Sequence, residues 1–579
     1  MKKDSSTLKR VLKYIGRQKY LLPVSIFFAL LSVAVTLFIP YLIGRAIDLI
    51  VSQGNVDTKK IVNILLVATV FIGLGALSQW LLSVINNKIT YRVLSDVRRD
   101  AFNKLSSLPL SYIDRTPSGD VLSRITADSE QLADGLLVGF TQLFTGILTI
   151  IGTLCMLLVI DYRVALAVVI LTPLSLLVAR FIANRSHALF LEQSKANAKC
   201  TAFINERLEG QKIIKAFSAE DETVSEFEKL NDEATKISTN AVFFSSLVNP
   251  TTRFVNSIVY AATALFGSLI AIFGGGTLLI GELSCLLAYA NQYTKPFNEI
   301  SGVVAEFQGA LASASRVFAL MDEKEEETDE GKLEIGCAVG EVSFKDVSFS
   351  YTAEKPLLKN ISFEALAGKR VAIVGPTGSG KTTLINLLMR FYDVDEGEIS
   401  LDGADIRNIT RRSLRKSYGM VLQDTWFQSG TVRELISLSK PESTDEEIVA
   451  AAKAAHADGF IKRLPNGYDT KIGKGGVLLS KGQGQLLSIA RIILKLPPVL
   501  ILDEATSNID TRTEMKINSA FLSMMEGRTS FIVAHRLSTI RNADLILVMK
   551  DGNIVETGTH KTLIEKRGFY YELLMAARK

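Results

Sequence analysis

Leu479-Ser480-Lys481-Gly482-Gln483-Gly484-Gln485 opens an apolar run, GQLLSIARIIL, whose spacing predicts a helix. The run stands between two other patterns. Upstream lies Gly375-Pro376-Thr377-Gly378-Ser379-Gly380-Lys381-Thr382-Thr383, and downstream lies Val499-Leu500-Ile501-Leu502-Asp503-Glu504. A serine at the start of a helix, with the free N–H groups of the first turn behind it, can cap a phosphate that arrives from outside.

The upstream pattern has the flanks a phosphate loop needs. Arg370-Val371-Ala372-Ile373-Val374 reads as a strand, and the residues after the loop (LINLLMRFY) read as a helix. Glycines let the backbone N–H groups face phosphates, and the helix dipole adds to their pull. Lys381 is placed to neutralise the β- and γ-phosphates, and Thr382 offers a hydroxyl to Mg²⁺. The downstream pattern is a buried parallel strand ending in two carboxylates. Asp503 is placed to hold Mg²⁺, and Glu504 to orient and polarise an attacking water. These residues predict an α/β P-loop domain over 341–579.

The chain before residue 310 is of another kind. Of the 579 residues, 48% are hydrophobic, and the mean hydropathy of +0.25 is high for a soluble chain. Uncharged runs at 21–43, 61–87, 135–160, 164–179 and 254–280 suit bilayer crossings. A sixth, from Leu283 past Pro296, is interrupted by Lys295 and Glu299. Together they predict an all-α, six-span domain over 1–321. Lys/Arg residues crowd the N-terminus and the segments after the second and fourth spans, whereas Asp161-Tyr162-Arg163 and the Gly274-Gly275-Gly276 turn are nearly bare. The positive-inside rule therefore places both termini and both long segments in the cytoplasm. Those segments predict long helical extensions with docking tips at 111–128 and 208–220. The acidic run 322–330 predicts a solvated linker, taken here as 322–340.

These motifs, in this order, resemble the ATP-binding-cassette superfamily over essentially the whole chain. The specific resemblance is to an exporter half-transporter, six spans fused to one cassette. It implies that Tyr351 stacks on adenine, that Gly375 to Thr383 bind phosphate, and that Gln423 touches Mg²⁺ and senses the membrane domain. Ser480, Gly482 and Gln483 match the family's Leu-Ser-Gly-Gly-Gln motif. Ser507-Asn508-Ile509-Asp510 matches the loop crossing the dimer interface, and His535 the histidine that contacts the γ-phosphate. Lys381, Gln423, Glu504 and His535 would then be catalytic, with Thr382, Gln423 and Asp503 around the metal.

Three positions depart from the family pattern. Lys481 replaces the first Gly of the motif, Gly484 stands where a basic residue is common, and Lys474 stands where exporters usually carry Glu. The departures resemble heterodimeric exporters with one working and one degenerate site. This chain would supply the phosphate loop and Glu504 of the working one, with a homodimer that tolerates Lys481 as the alternative.

The expected activity is ATP hydrolysis coupled to export across the cell membrane by alternating access. Spans without lined-up charges suit an apolar or amphipathic substrate, a drug or lipid. Trp80, Gln79, Asn256, Asn291, Gln292 and Tyr293 are the polar or amphipathic residues able to line its path. A peptide exporter ranks second, since no protease domain is expected before the first span. An ATP-gated or regulatory subunit ranks behind it, because Glu504 is intact. The balance of 65 basic to 60 acidic residues gives no nucleic-acid signature. Cys155, Cys200, Cys285 and Cys337 form no close pair in the sequence, so no disulfide framework or metal site is expected.

Overall fold

The computed structural model describes residues 2–50, 56–273, 278–352, 355–422, 425–473, 475–503, 509–533 and 540–577. Its backbone contacts divide the chain into two units. One comprises Met1–Leu108 and Thr116–Lys324, and the other Pro109–Arg115 and Glu325–Lys579.

The first unit is helical. Four stretches are long and apolar enough to cross a membrane: Leu21–Asp48, Thr58–Ser106, Ser118–Ile160 and Glu220–Phe273. The fourth and sixth spans read from the sequence fall in Tyr162–Glu209 and Ile280–Met321. Of these, Tyr162–Pro173 counts only as a shorter apolar helix. Thr58–Ser106 has 49 residues, about 74 Å of helix at 1.5 Å per residue, more than twice a hydrocarbon core. The extensions expected below the spans are therefore continuous with them.

Two glycines set a close helix crossing. A Cβ on Gly281 would lie 2.0 Å from the Gly44 carbonyl oxygen, and one on Gly44 would lie 2.2 Å from Cys285 Sγ. Small residues let the backbones of Leu21–Asp48 and Ile280–Met321 touch. The Gly281 N–H donates to Asp48 Oδ1 at 2.6 Å and the Tyr289 hydroxyl to the Leu37 carbonyl at 2.6 Å. We expect Gly281→Ala to destabilise the protein by about 1–3 kcal/mol, since the clash is with backbone that cannot swing aside. A thermal melt in detergent, unchanged from wild type, would refute this packing. At one end of the unit Arg10 pairs with Asp322 at 2.6 Å and the Tyr14 hydroxyl donates to Asp100 at 2.8 Å. The N-terminal helix and the exit toward the second unit thus share that end.

The second unit holds two main sheets and a two-stranded ribbon of β7 (Gly430–Thr431) and β8 (Lys471–Ile472). The antiparallel one contains β1 (Val342–Phe349), β2 (Leu358–Ala365), β4 (Glu396–Leu401) and β5 (Ala404–Asp405), in the order β2-β1-β4-β5. The other adds β3 (Arg370–Val374), β6 (Tyr418–Val421), β9 (Val499–Asp503), β10 (Thr529–Val533), β11 (Leu545–Lys550) and β12 (Asn553–Gly558), ordered β12-β11-β3-β10-β9-β6. Neighbours in this sheet run parallel except β12, which pairs antiparallel with β11. Strands β3, β9 and β10 are largely buried on both faces because cores lie on both sides of them.

The acidic linker is not simply solvated. Asp329 accepts from the Arg411 backbone N–H at 2.6 Å and from its guanidinium at 2.8 Å. Glu326 lies 3.4 Å from the same guanidinium, and Leu333 bridges to Ile409. The charge run that reads as a free tether is matched to a largely buried arginine about eighty positions away. Only the start of the first tip, up to Arg115, belongs here. The helix Leu110–Arg115 lies in this unit, although the chain on both sides of it belongs to the helical one.

Candidate functional site

The chemistry gathers where β3, β10 and β9 end. Val533 is level with Ile373 on one side and with Asp503 on the other, so the phosphate loop and Asp503 leave the same sheet edge with one strand between them. In open α/β sheets the ligand crevice lies outside the carboxyl ends of such strands.

The loop is shaped by its glycines. Gly378 and Gly380 have φ of +83° and +100°, values that favour glycine. Gly375 passes close to β11, where an added Cβ would sit 2.3 Å from the Met549 carbonyl oxygen. The helix Lys381–Leu388 follows at once. Lys381 is 8% exposed, and its amine donates to the carbonyls of Gly375 and Pro376 at 2.9 Å each. Burial lowers its pKa, and the charge of Asp503 works against that shift. Thr382 is exposed and Thr383 buried. Ser379 is also buried, and its hydroxyl has no hydrogen-bond partner among the described residues. A buried cation with an unpartnered hydroxyl in a Gly-rich loop fits an oxygen-rich anion.

Tyr351 is brought to the same helix. Its hydroxyl accepts from Asn386 at 3.2 Å, and its ring meets Phe349 and Tyr392 edge-on, with centroids 5.0 Å apart in each case. Asp114 and Arg115, which belong to the same unit, meet this cluster. Arg115 donates to the Tyr351 carbonyl and the Tyr392 hydroxyl donates to Asp114. Burial first, and then Asp114, push the Tyr392 phenol far above its usual range, so it stays a donor at every working pH. Asn386 and Tyr392 escaped the sequence reading, whereas Asp114 and Arg115 fall in the expected tip at 111–128, without their partners being foreseen. The only local hint was the aromatic pair Phe391-Tyr392 closing the helix after the loop.

Ser480 caps the helix Lys481–Ile493 and forms a reciprocal box with Gln483, the two bonds measuring 3.3 and 3.0 Å. Lys481 is exposed. Gly482 is different, because an added Cβ would lie 2.6 Å from Thr513 Cγ2 and 3.1 Å from Ile509 Cγ2. We expect Gly482→Ala to cost about 1–2 kcal/mol net, the helix-propensity gain being outweighed by overpacking; denaturant unfolding with no loss of midpoint would contradict this. Gly484 packs on the segment after Asp424, where a Cβ would lie 2.7 Å from Thr425 Oγ1 and 3.3 Å from Phe427. That contact explains the missing basic residue. Asp510 accepts from the Thr513 N–H at 2.9 Å, and this bond helps hold its carboxyl below the usual range. Gln423, Lys474, Glu504, Ser507, Asn508 and His535 lie outside the described residues.

In the helical unit the polar candidates separate. Gln79 meets the Ser32 hydroxyl at 3.0 Å, Trp80 and Asn291 are exposed, and Tyr293 is buried beside Phe297. Asn256 Oδ1 and Gln292 Oε1 are buried without a hydrogen-bond partner among the described residues.

Residues 22–297 match the ABC transporter transmembrane region and residues 358–507 the ABC transporter domain. The chain is 41% identical over 527 residues to the fatty acid ABC transporter ATP-binding/permease protein of Mycobacterium bovis, covering 91% of this chain and 83% of that one. It is 36% identical to a putative multidrug export ATP-binding/permease protein of Staphylococcus aureus, over 98% of this chain and 99% of the relative. Among solved structures, a bacterial Atm1-family ABC exporter with ATP bound superposes with a TM-score of 0.79 at 27% identity, covering 96% of this chain and 98% of that one.

Proposed function

This chain belongs to the ATP-binding-cassette exporters, ATPases coupled to transmembrane transport, and we propose that its own phosphate loop and Glu504 form the working hydrolytic site of a dimer. Buried Lys381, which feels the opposing charge of Asp503, next to a Ser379 hydroxyl without a hydrogen-bond partner among the described residues, carries this reading. Lys381 holds the β- and γ-phosphates of ATP, and Glu504 takes a proton from the attacking water as the bond from the β-bridging oxygen to γ-phosphorus breaks. Hydroxyl and carboxylate oxygens of Thr382 and Asp503, with Gln423, suit Mg²⁺, which would neutralise phosphate charge. His535 contacts the γ-phosphate, and Tyr351 lies against adenine. Isothermal titration of ATP into wild type and Lys381→Ala tests the site; equal affinity would contradict it.

Lys481 favours a heterodimer. Exposed in the first turn of its helix, it meets whatever faces Ser480, so its consequence falls on a partner's nucleotide rather than on this chain's fold. The partner would carry an intact Leu-Ser-Gly-Gly-Gln. The second tip supports a dimer too: Ile213 and Phe217 are 65% and 81% exposed on and beside the helix Gln211–Ala216. Domain limits of 1–321, 322–340 and 341–579, six spans and a cytoplasmic ATPase unit complete the proposed layout in the cell membrane.

The substrate we propose is a lipophilic or amphipathic small molecule. The spans carry few charges, and the Asn256 and Gln292 amide oxygens offer polar anchoring without charge. The names of the mycobacterial and staphylococcal relatives agree with that class. ATP favours the state with closed cassettes, and hydrolysis resets it, which alternates access. Long-chain fatty acids should stimulate ATP turnover and short peptides should not; the reverse pattern would favour peptide export. The bonds from Asp114 and Arg115 to the Tyr351–Tyr392 cluster would carry movement of the tip. Asp114→Ala is expected to remove about 1 kcal/mol of that coupling, roughly fivefold in substrate stimulation, with basal turnover kept. Unchanged stimulation would show that the tip is only a tether.

A further inference from the structure

The ATPase unit carries a half-open recess of about 610 Å³ that includes no residue of the phosphate loop and whose cations Arg412, Lys416 and Lys495 are exposed. Three separate segments wall it: the linker at 334–338, the helix Arg411–Lys416 with Ser417, and the turn at 495–498 that leads into β9. Its size falls among small-molecule sites. Its charges are the unusual feature. Arg412, Lys416 and Lys495 line it against the one carboxylate of Glu334, leaving a formal charge of +2.

Other cations on the same short helix are satisfied. Arg411 takes Asp329 and Glu326, and Arg415 donates to the Arg390 carbonyl at 3.0 Å. Arg412, Lys416 and Lys495 have no ion-pair carboxylate among the described residues. Burial lowers the pKa of Lys495, and the facing charge of Lys416 lowers it further. Two ammonium groups that repel each other in a recess are stabilised by an anion between them. Ser413 does not compete for that anion, because its hydroxyl donates to the Ile335 carbonyl and accepts from the Ile335 N–H, both at 2.7 Å. Those two bonds hold the linker wall of the cavity in place.

We propose that this cavity is a binding site for a phosphate monoester, separate from the nucleotide site, with Arg412, Lys416 and Lys495 holding the phosphate. A phosphate monoester carries close to two negative charges at neutral pH, which matches the surplus. The guanidinium fork and two ammonium groups recognise phosphate oxygens. Ile335, Leu496 and Pro497 offer an apolar wall to the carbon part of the ligand. A soluble metabolite and a lipid headgroup both present this chemistry.

Cys337 is exposed and lines the same cavity, so it reports occupancy. The experiment follows its alkylation by a neutral maleimide in the full-length protein in nanodiscs, read at the peptide level by mass spectrometry. The probes are glycerol 3-phosphate at matched ionic strength with chloride, and nanodiscs containing phosphatidic acid against phosphatidylcholine alone. Saturable slowing of about fivefold or more is expected with a phosphate probe, and the probe that acts identifies a soluble or a lipid source. Lys416→Gln/Lys495→Gln should weaken the effect at least roughly tenfold, while its ATP-induced thermal stabilisation stays intact and shows that it is folded. Lys381→Ala should keep the protection, which separates this site from the nucleotide site. Alkylation indifferent to both probes, or slowed equally in the double variant, would overturn the proposal.

Discussion

Glu504→Gln lowers ATP turnover by about two to four powers of ten, with ATP binding retained: this is the largest effect expected of any single substitution here. The size is that of a general base in proton transfer. Gln keeps the shape and a hydrogen-bonding oxygen but cannot accept the proton of the attacking water. Asp503 at the end of β9 and Lys381 after the loop are untouched by the substitution, so the phosphate-binding part of the site should survive. Loss in kcat without loss in ATP affinity is therefore the signature. Radiolabelled ATP binding and phosphate release, measured on the same preparation, separate the two; a variant retaining more than about a tenth of wild-type turnover would remove Glu504 from the chemistry.

Lys381→Ala is expected to act on binding instead. The amine is buried, its charged form is disfavoured there, and the loop carbonyls it now serves are weak partners beside a triphosphate. Hydrogen bonds to charged groups contribute about 1.5–3 kcal/mol each, so ATP affinity should fall by roughly 10- to 150-fold, with turnover lost at ordinary ATP concentrations. The pH dependence has a definite sign. ATP favours the charged amine, so affinity should be flat while Lys381 is protonated in the free protein. It should then decline as pH rises through the lowered pKa, and the decline should be absent in Lys381→Ala. An alkaline decline of equal size in both proteins would assign it to another group.

The phosphate loop, the strand ending in Asp503 and the helix capped by Ser480 were legible because each is written in consecutive residues. A β-rich run, glycines and a helical period specify strand, loop and helix locally, and the sheet then brings Lys381 and Asp503 to one edge. What escaped lies far apart in the chain. Arg115 reaches Tyr351 across 236 positions and Tyr392 reaches Asp114 across 278, and no period in the sequence records such pairs. The acidic linker misled for the same reason, since its charge run looks free until Arg411 folds against it. Gly484, apparently a missing charge, is explained by Thr425 and Phe427 beside it. The weakest apolar runs were the hardest to read in sequence and structure alike, because interruptions such as Lys295 and Glu299 dilute them.

The most direct measurement is ATP turnover of the purified chain in lipid, alone and co-purified with a second half-transporter that has an intact Leu-Ser-Gly-Gly-Gln and a replaced catalytic Glu. The account predicts turnover that needs the second protein and disappears with Glu504→Gln. Robust turnover by this chain alone would contradict the asymmetric dimer and show that Lys481 is compatible with two working sites.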